Sequence, residues 1–181
     1  MRTRFAPSPT GMLHIGGLRT ALYAYLIAKQ TDGTFILRIE DTDQVRTIDG
    51  AVENILRTLH WAGLDPDEGV MMRDGLPTEE GAHGPYTQSQ RFEIYTAHAK
   101  ELIEKGHAYY AFDTKEDLDH MREAESAAGN AAPKYDSSVR MRMKNSLTLP
   151  EAEWKQKLED NEPHVIRMLI PEGNVIRFQD E

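Results

Sequence analysis

One imidazole, three glycines and two prolines crowd together near the start of this chain, in Pro7-Ser8-Pro9-Thr10-Gly11-Met12-Leu13-His14-Ile15-Gly16-Gly17. Gly11, Gly16 and Gly17 remove bulk, so a flat base or a ribose can rest directly on backbone, while Pro7 and Pro9 hold the loop stiff. His14 stands where a helix begins and can donate to a phosphate oxygen, beside unpaired backbone N–H groups and the positive end of a helix dipole. Polyphosphate chemistry fits that set. Neither G-x-x-x-x-G-K-[ST] nor G-x-G-x-x-G is present, which excludes the two commonest phosphate loops. Taken singly, the features have plainer uses: a Gly-rich strand-to-helix junction is a turn, and a lone His at a helix start is a cap.

A second set is acidic: Glu40, Asp41 and Asp43. A carboxylate near a phosphate site suits a substrate that carries an ammonium group. As a calcium loop Asp41-x-Asp43 fails, because the next ligand and turn fall on Val45 and Arg46. Arg4, on its own, is a surface arginine beside a strand.

The elements that must position these groups follow from periodicity. Thr3 to Ala6 is an apolar strand candidate, and Ile15, Leu18, Leu22 and Tyr25 fall at i, i+3, i+7 and i+10 of a helix. After the turn at Asp32-Gly33, Thr34 to Glu40 alternates as a second strand whose acidic end lies beside the first loop. In an open α/β sheet that end is where ligands bind. Thr47 to Ala62 reads as an amphipathic helix closed by Gly63, and Asp65 to Gly84 as a loop or weakly structured crossover. Thr87 with Gln90 makes a capping box for a helix bearing Phe92, Tyr95, Ala99 and Leu102, ended by Gly106. A change of module is expected there, giving residues 1–106 and 107–181. The second part reads as a strand from Ala108 to Phe112, a helix from Thr114 to Ser126 begun by Thr114 with Asp117, and a flexible loop from Ala127 to Ser138. A short helix started by Thr148, Pro150 and Glu151 comes next, then strands over Val165 to Ile170 and Val175 to Phe178.

Composition bounds the class. With 39% apolar and 28% charged residues the chain is of soluble globular type, and it has neither a membrane-length apolar run nor a secretory core. The absence of cysteine excludes disulfides and a thiolate zinc knuckle. A cytoplasmic location without membrane contact fits these features. The net charge of −9 by itself argues against a nucleic-acid partner, since phosphate neutralisation needs basic surface. Lys134, Arg140, Arg142 and Lys144, set against Asp136, form the one basic run that is either a solvated face or an RNA contact.

The whole string Arg4-Phe5-Ala6-Pro7-Ser8-Pro9-Thr10-Gly11, then His14-Ile15-Gly16-Gly17, then Phe35-Ile36-Leu37-Arg38-Ile39-Glu40-Asp41-Thr42-Asp43 resembles the glutamyl-tRNA synthetase family in sequence, order and spacing. His14 to Gly17 look like its form of the class I HIGH signature, with Gly17 in place of the last His. Gly84-Pro85-Tyr86-Thr87-Gln88-Ser89-Gln90-Arg91 also resembles a family string, so the likeness covers essentially the whole chain. It implies an α/β fold, the first half of a Rossmann-like class I synthetase nucleotide-binding fold with an inserted α+β connective module that binds the tRNA acceptor end. It implies a glutamate–tRNA ligase that uses ATP and Mg2+ to activate L-glutamate and charges tRNA(Glu).

In that reading His14, Gly16 and Gly17 are catalytic, and Pro7 to Gly17 form the ATP-binding motif. Arg4, Ala6, Ser8 and Glu40 hold glutamate, with Arg4 on its side-chain carboxylate and Glu40 on its α-amino group, and Thr42 and Arg46 approach the tRNA. Some members hold zinc in the connective module through Cys and His; here Ala111 and Asp113 stand where two cysteines would be, and no metal site is expected. No K-[ML]-S-K string occurs, so the chain is expected to be the first part of a longer synthetase that is monomeric when complete, with the part alone inactive and prone to self-association. A glutamyl-Q tRNA(Asp) synthetase-like tRNA-modifying enzyme, a small nucleotidyltransferase and a non-catalytic binding fragment are the alternatives.

Overall fold

Arg2–Phe5 forms strand β1, and its alternation of exposed and covered residues explains which side carries the core. Thr3 Oγ1 donates to the carbonyl of Ala24 in helix α1, Ile15–Gln30, and Phe5 is buried, so the odd positions face that helix. Strand β2, Thr34–Leu37, runs parallel to β1 with Thr3 opposite Phe35 and Phe5 opposite Leu37. Phe35 and Leu37 are fully buried, and the Tyr25 ring of α1 meets Phe35 edge-on at 5.5 Å between centroids. Helix α2, Ala51–Trp61, adds Ile55, Leu56 and Leu59 to the same core.

The sheet continues with β3, Glu68–Arg73, parallel to β2, and β4, Leu76–Glu80, antiparallel to β3, in the order β1-β2-β3-β4. Helix α3, Phe92–Glu104, follows a 3-10 turn at Gln88–Arg91. The computed structural model describes residues 1–171, 173 and 175–179, and the chain divides within α3 into units Met1–Ile94 and Tyr95–Glu181. In the second unit β5, Ala108–Ala111, pairs antiparallel with β6, Val165–Met168; between them lie α4, Lys115–Ala127, α5, Ser137–Arg140, and α6, Glu151–Glu159.

Several expectations change. The Asp65 to Gly84 crossover is the β3–β4 hairpin, whose turn places Asp74 and Gly75 at φ 51° and 80°, the paired positive angles of an Asp-Gly hairpin turn. Helix α2 starts at Ala51 rather than Thr47, because Gly50 sits at φ 77° and breaks helical continuity. In α1 the small Ala21 and Ala28 are the buried residues, letting helix and sheet approach closely, whereas Ile15 is 81% exposed. The Thr87 side chain caps no helix; its hydroxyl donates to Glu79 Oε1 at 2.7 Å. The Thr148 hydroxyl likewise donates to the Met143 carbonyl at 2.6 Å, and Pro150 occupies the N-cap of α6. Val175 to Phe178 form no strand, and Val175, Ile176 and Phe178 are exposed. The Thr114–Asp117 capping box at the start of α4 forms as expected.

Candidate active site

His14 is the N-cap of α1, with extended backbone, and its Nδ1 accepts from the Gly16 N–H at 3.1 Å. The cap holds the ring through Nδ1, and the residue is exposed at the helix mouth. Gly16 is needed for this packing, since a Cβ there would stand 2.9 Å from the His14 ring; at Gly17 a Cβ would meet the Leu13 Cδ1 at 2.7 Å, and at Gly11 it would meet nothing. Beneath the loop, Leu13 N–H donates to Asn54 Oδ1 at 2.9 Å, which ties the approach to α1 onto α2. Buried Pro9 receives the Ile48 N–H on its carbonyl at 2.9 Å.

The β1–β2 ladder does not stop where the strands end. Arg38 N–H donates to the Phe5 carbonyl at 3.0 Å and Glu40 N–H to the Pro7 carbonyl at 2.9 Å, the same two-residue alternation carried into the loops. Even positions of both segments therefore share the face opposite α1: Arg4, Ala6 and Ser8 on one row, Ile36, Arg38 and Glu40 on the next. Arg4 and Ser8 are exposed while the residue that follows each, Phe5 and Pro9, is buried, in keeping with that alternation. Arg4 makes no ion pair among the described residues. A cationic fork and a carboxylate on one sheet face, with a helix N-terminus at the same end of β1, can bind a zwitterionic acid next to a phosphate.

The rim of this corner is braced by side chains that sequence reading left out. Ile39 N–H donates to the Tyr86 carbonyl and Gln88 N–H to the Ile39 carbonyl, both at 2.9 Å, so the Pro85–Gln88 segment flanks the far side of Ile39. Asp41 is fully engaged: Ser89 N–H and Oγ donate to its two oxygens at 2.8 and 2.6 Å. Glu79 accepts from the N–H groups of Tyr86 and Thr87, each at 2.8 Å. Below them the Tyr86 hydroxyl donates to Glu68, which also receives Arg2 at 2.6 Å. The Tyr86 bond, then the Arg2 bond, holds the Glu68 carboxyl below its ordinary range, and burial pushes the Tyr86 phenol up. The signal available in sequence was the Gly84 to Arg91 string, whose polar residues read only as the start of a helix.

Thr42 is exposed, and Arg46 pairs with Asp43 at 2.5 Å in the short turn that Asp43 caps, so both stand on the outer loop after Glu40. A cavity of about 530 Å³ opens beside Pro9, Ile39 and Asp41 under this loop. A more apolar one of about 550 Å³ runs from Gly16 along Ile15, Leu18 and Leu22.

In the second unit the basic run is largely spoken for. Arg142 pairs with Glu125 at 2.6 Å and Lys144 with Asp117 at 2.8 Å, and the latter bond leads the causes that hold Asp117 at about 2. Asp113, at a position where a cysteine was the alternative, receives the Tyr135 hydroxyl at 3.0 Å and the Lys144 N–H at 2.8 Å. Among the described residues, no cluster of three or more His, Asp or Glu is placed to hold a metal ion, and no helix is long and apolar enough to cross a membrane.

Comparison with known proteins places these features in a family. The model of tRNA synthetases class I (E and Q), catalytic domain, matches residues 1–181. The glutamate–tRNA ligase of Amoebophilus asiaticus (strain 5a2) is 51% identical over 181 residues, covering 100% of this chain and 34% of that protein; that of Finegoldia magna is 51% identical, covering 99% and 36%. A crystal structure of a glutamate tRNA ligase from Elizabethkingia meningosepticum in complex with its amino acid superimposes with a TM-score of 0.87 at 46% identity, over 99% of this chain and 34% of that one. The glutamate-tRNA synthetase of Elizabethkingia anophelis gives 0.88 at 45% identity, with the same coverage. The chain spans about a third of the length of the relatives it matches. Matched from end to end, with the Pro7–Gly17 loop at the mouth of α1 and the parallel strands of a mixed sheet beneath it, the chain belongs to the class I tRNA synthetases of the E and Q type, within their catalytic domain.

Proposed function

We propose that the protein carrying this chain is a glutamate–tRNA ligase, and that the corner formed by Arg4, Ser8, His14 and Glu40 activates L-glutamate with ATP. The observation that carries the reading is the shared sheet face: Arg4 and Glu40 stand on adjacent rows, locked by the Glu40 N–H bond to Pro7, at the end of β1 where α1 begins. Arg4 takes the side-chain carboxylate in a planar fork, Glu40 takes the α-ammonium group, and Ala6 and Ser8 lie between. That leaves the α-carboxylate turned toward the loop and the nucleotide. The names of the relatives, all glutamate–tRNA ligases, support the same substrate.

Two steps follow. The α-carboxylate attacks the α-phosphorus of ATP, the bond to the bridging oxygen of the β-phosphate breaks, and pyrophosphate leaves, giving glutamyl-adenylate. A hydroxyl of the terminal adenosine of tRNA(Glu) then attacks the acyl carbon and AMP departs. No protein nucleophile is involved, so the residues act by position and charge. The exposed His14 and the N-terminal N–H groups of α1 receive phosphate oxygens, and Gly16 and Gly17 let adenosine approach backbone. Asp41 and Asp43 are already engaged by Ser89 and Arg46, so these carboxylates do not fit a resident Mg2+ site; the ion would come with the nucleotide. Thr42 and Arg46, on the outer loop, approach the tRNA end, and residues 107–181 form the connective module that meets the acceptor stem.

Incorporation of labelled glutamate into tRNA(Glu) by the full-length gene product tests the reading. Charging with glutamate and not with glutamine is expected; absence of glutamate charging overturns it.

A further inference from the structure

Arg38 has no role in the site described so far, yet among the described residues it is the one side chain hydrogen-bonded to the Glu40 carboxylate. One of its terminal nitrogens donates to Glu40 Oε1, while Glu40 Oε2 has no partner among the described residues. The pair is half-sheltered, with side chains 21% and 31% exposed, so the charge-assisted bond is less diluted by solvent than a surface pair. Arg38 is held at both ends: its backbone N–H bonds the Phe5 carbonyl, and its terminal nitrogen bonds Glu40. Its placement two residues before Glu40, on the same face, brings the fork over the carboxylate.

We propose that Arg38 is a positioning residue that grips one oxygen of Glu40 and thereby presents the other to the α-ammonium group of the amino acid. This rests on the reading of Glu40 given above. A carboxylate at the end of a strand turns freely, and fixing it during binding costs side-chain entropy; a grip made in advance removes that cost from the binding step. Lysine keeps the charge but loses the planar fork that sets the direction of the carboxylate.

The test compares L-glutamate with glutarate, which lacks the α-amino group, by calorimetric binding to the full-length gene product. The wild type is expected to prefer glutamate. In Arg38→Gln that preference shrinks about tenfold or more while glutarate affinity stays unchanged, and Arg38→Lys recovers part of it. Equal weakening of both ligands, or no change in the ratio, overturns the inference, because a packing role does not distinguish them. Should Arg38→Gln fail to fold, the ratio in Arg38→Lys decides: a reduced preference supports the inference and an unchanged one overturns it. A wild type with no preference for glutamate overturns the reading of Glu40 and this inference with it.

Discussion

Glu40 donates its backbone N–H to the carbonyl of Pro7 across 2.9 Å, and that bond sets the acidic end of β2 against the first proline of the loop. Because residues alternate across a strand, the bond also decides that Glu40 shares a face with Arg4 and Ser8 rather than with the buried Leu37 and Ile39. A shift of one residue would turn Glu40 into the core. The rigid loop and the ladder are therefore parts of one device.

His14→Ala separates catalysis from capping. The ring is exposed and supplies one hydrogen bond, to the Gly16 N–H, whose loss costs about 0.5–2 kcal/mol of stability. Loss of a donor to transition-state phosphate oxygens costs about 100-fold or more in rate. Glutamyl-adenylate formation is expected to fall by that factor with a Tm shift of only a few degrees; a lower Tm with normal kinetics would leave His14 as a cap alone.

Gly16→Ala and Gly17→Ala should differ. At Gly16 the new methyl presses on the His14 ring, which must leave its cap position, whereas at Gly17 it meets the movable end of Leu13. Adenylation kinetics are expected to drop about tenfold or more for Gly16→Ala and to change several-fold less for Gly17→Ala.

Strand period alone makes the acidic end of Thr34 to Glu40 legible beside the first loop, whereas Arg4 and Ser8 enter the candidate site through the resemblance of the two strings. What escaped were partners distant in sequence. Nothing in the alternation of Thr34 to Glu40 says that Ser89 will close on Asp41, or that Tyr86 will reach Glu68. The β3–β4 hairpin was hidden because its acidic and Pro-containing strand, Leu76–Glu80, lies on a sheet edge where no apolar alternation is required. In α1 only half of the stripe of large residues turns inward: Leu18 and Tyr25 pack on the core beside the buried Ala21 and Ala28, whereas Ile15 and Leu22 stay exposed.

The Arg2–Glu68–Tyr86 network makes a pH prediction. Glu68 is held below its ordinary value of 4.5, first by the Tyr86 hydroxyl and then by Arg2, so the unfolded chain takes up a proton at higher pH than the folded one. The stability it contributes is complete above 4.5 and lost as pH falls through the lowered folded value. Tyr86→Phe removes the first cause. Urea unfolding should show the variant about 1–3 kcal/mol less stable at neutral pH but with a shallower loss as pH falls below 4.5.

Gly69→Ala probes the sheet beneath the site. Gly69 has φ 108°, and a Cβ there would stand 2.0 Å from the Leu37 carbonyl oxygen, a backbone atom with no room to move. A loss of more than about 2 kcal/mol in denaturant unfolding is expected, and loss of activity only in proportion to unfolding.

The most direct measurement is the binding of a non-hydrolysable glutamyl-adenylate analogue to the full-length gene product, followed by calorimetry and by a structure of the complex. The analogue should lie between Arg4 and Glu40 on one side and His14 on the other, and Glu40→Gln should weaken it about tenfold or more. Binding elsewhere, or with an affinity indifferent to Glu40→Gln, would contradict the assignment of this corner to amino acid activation.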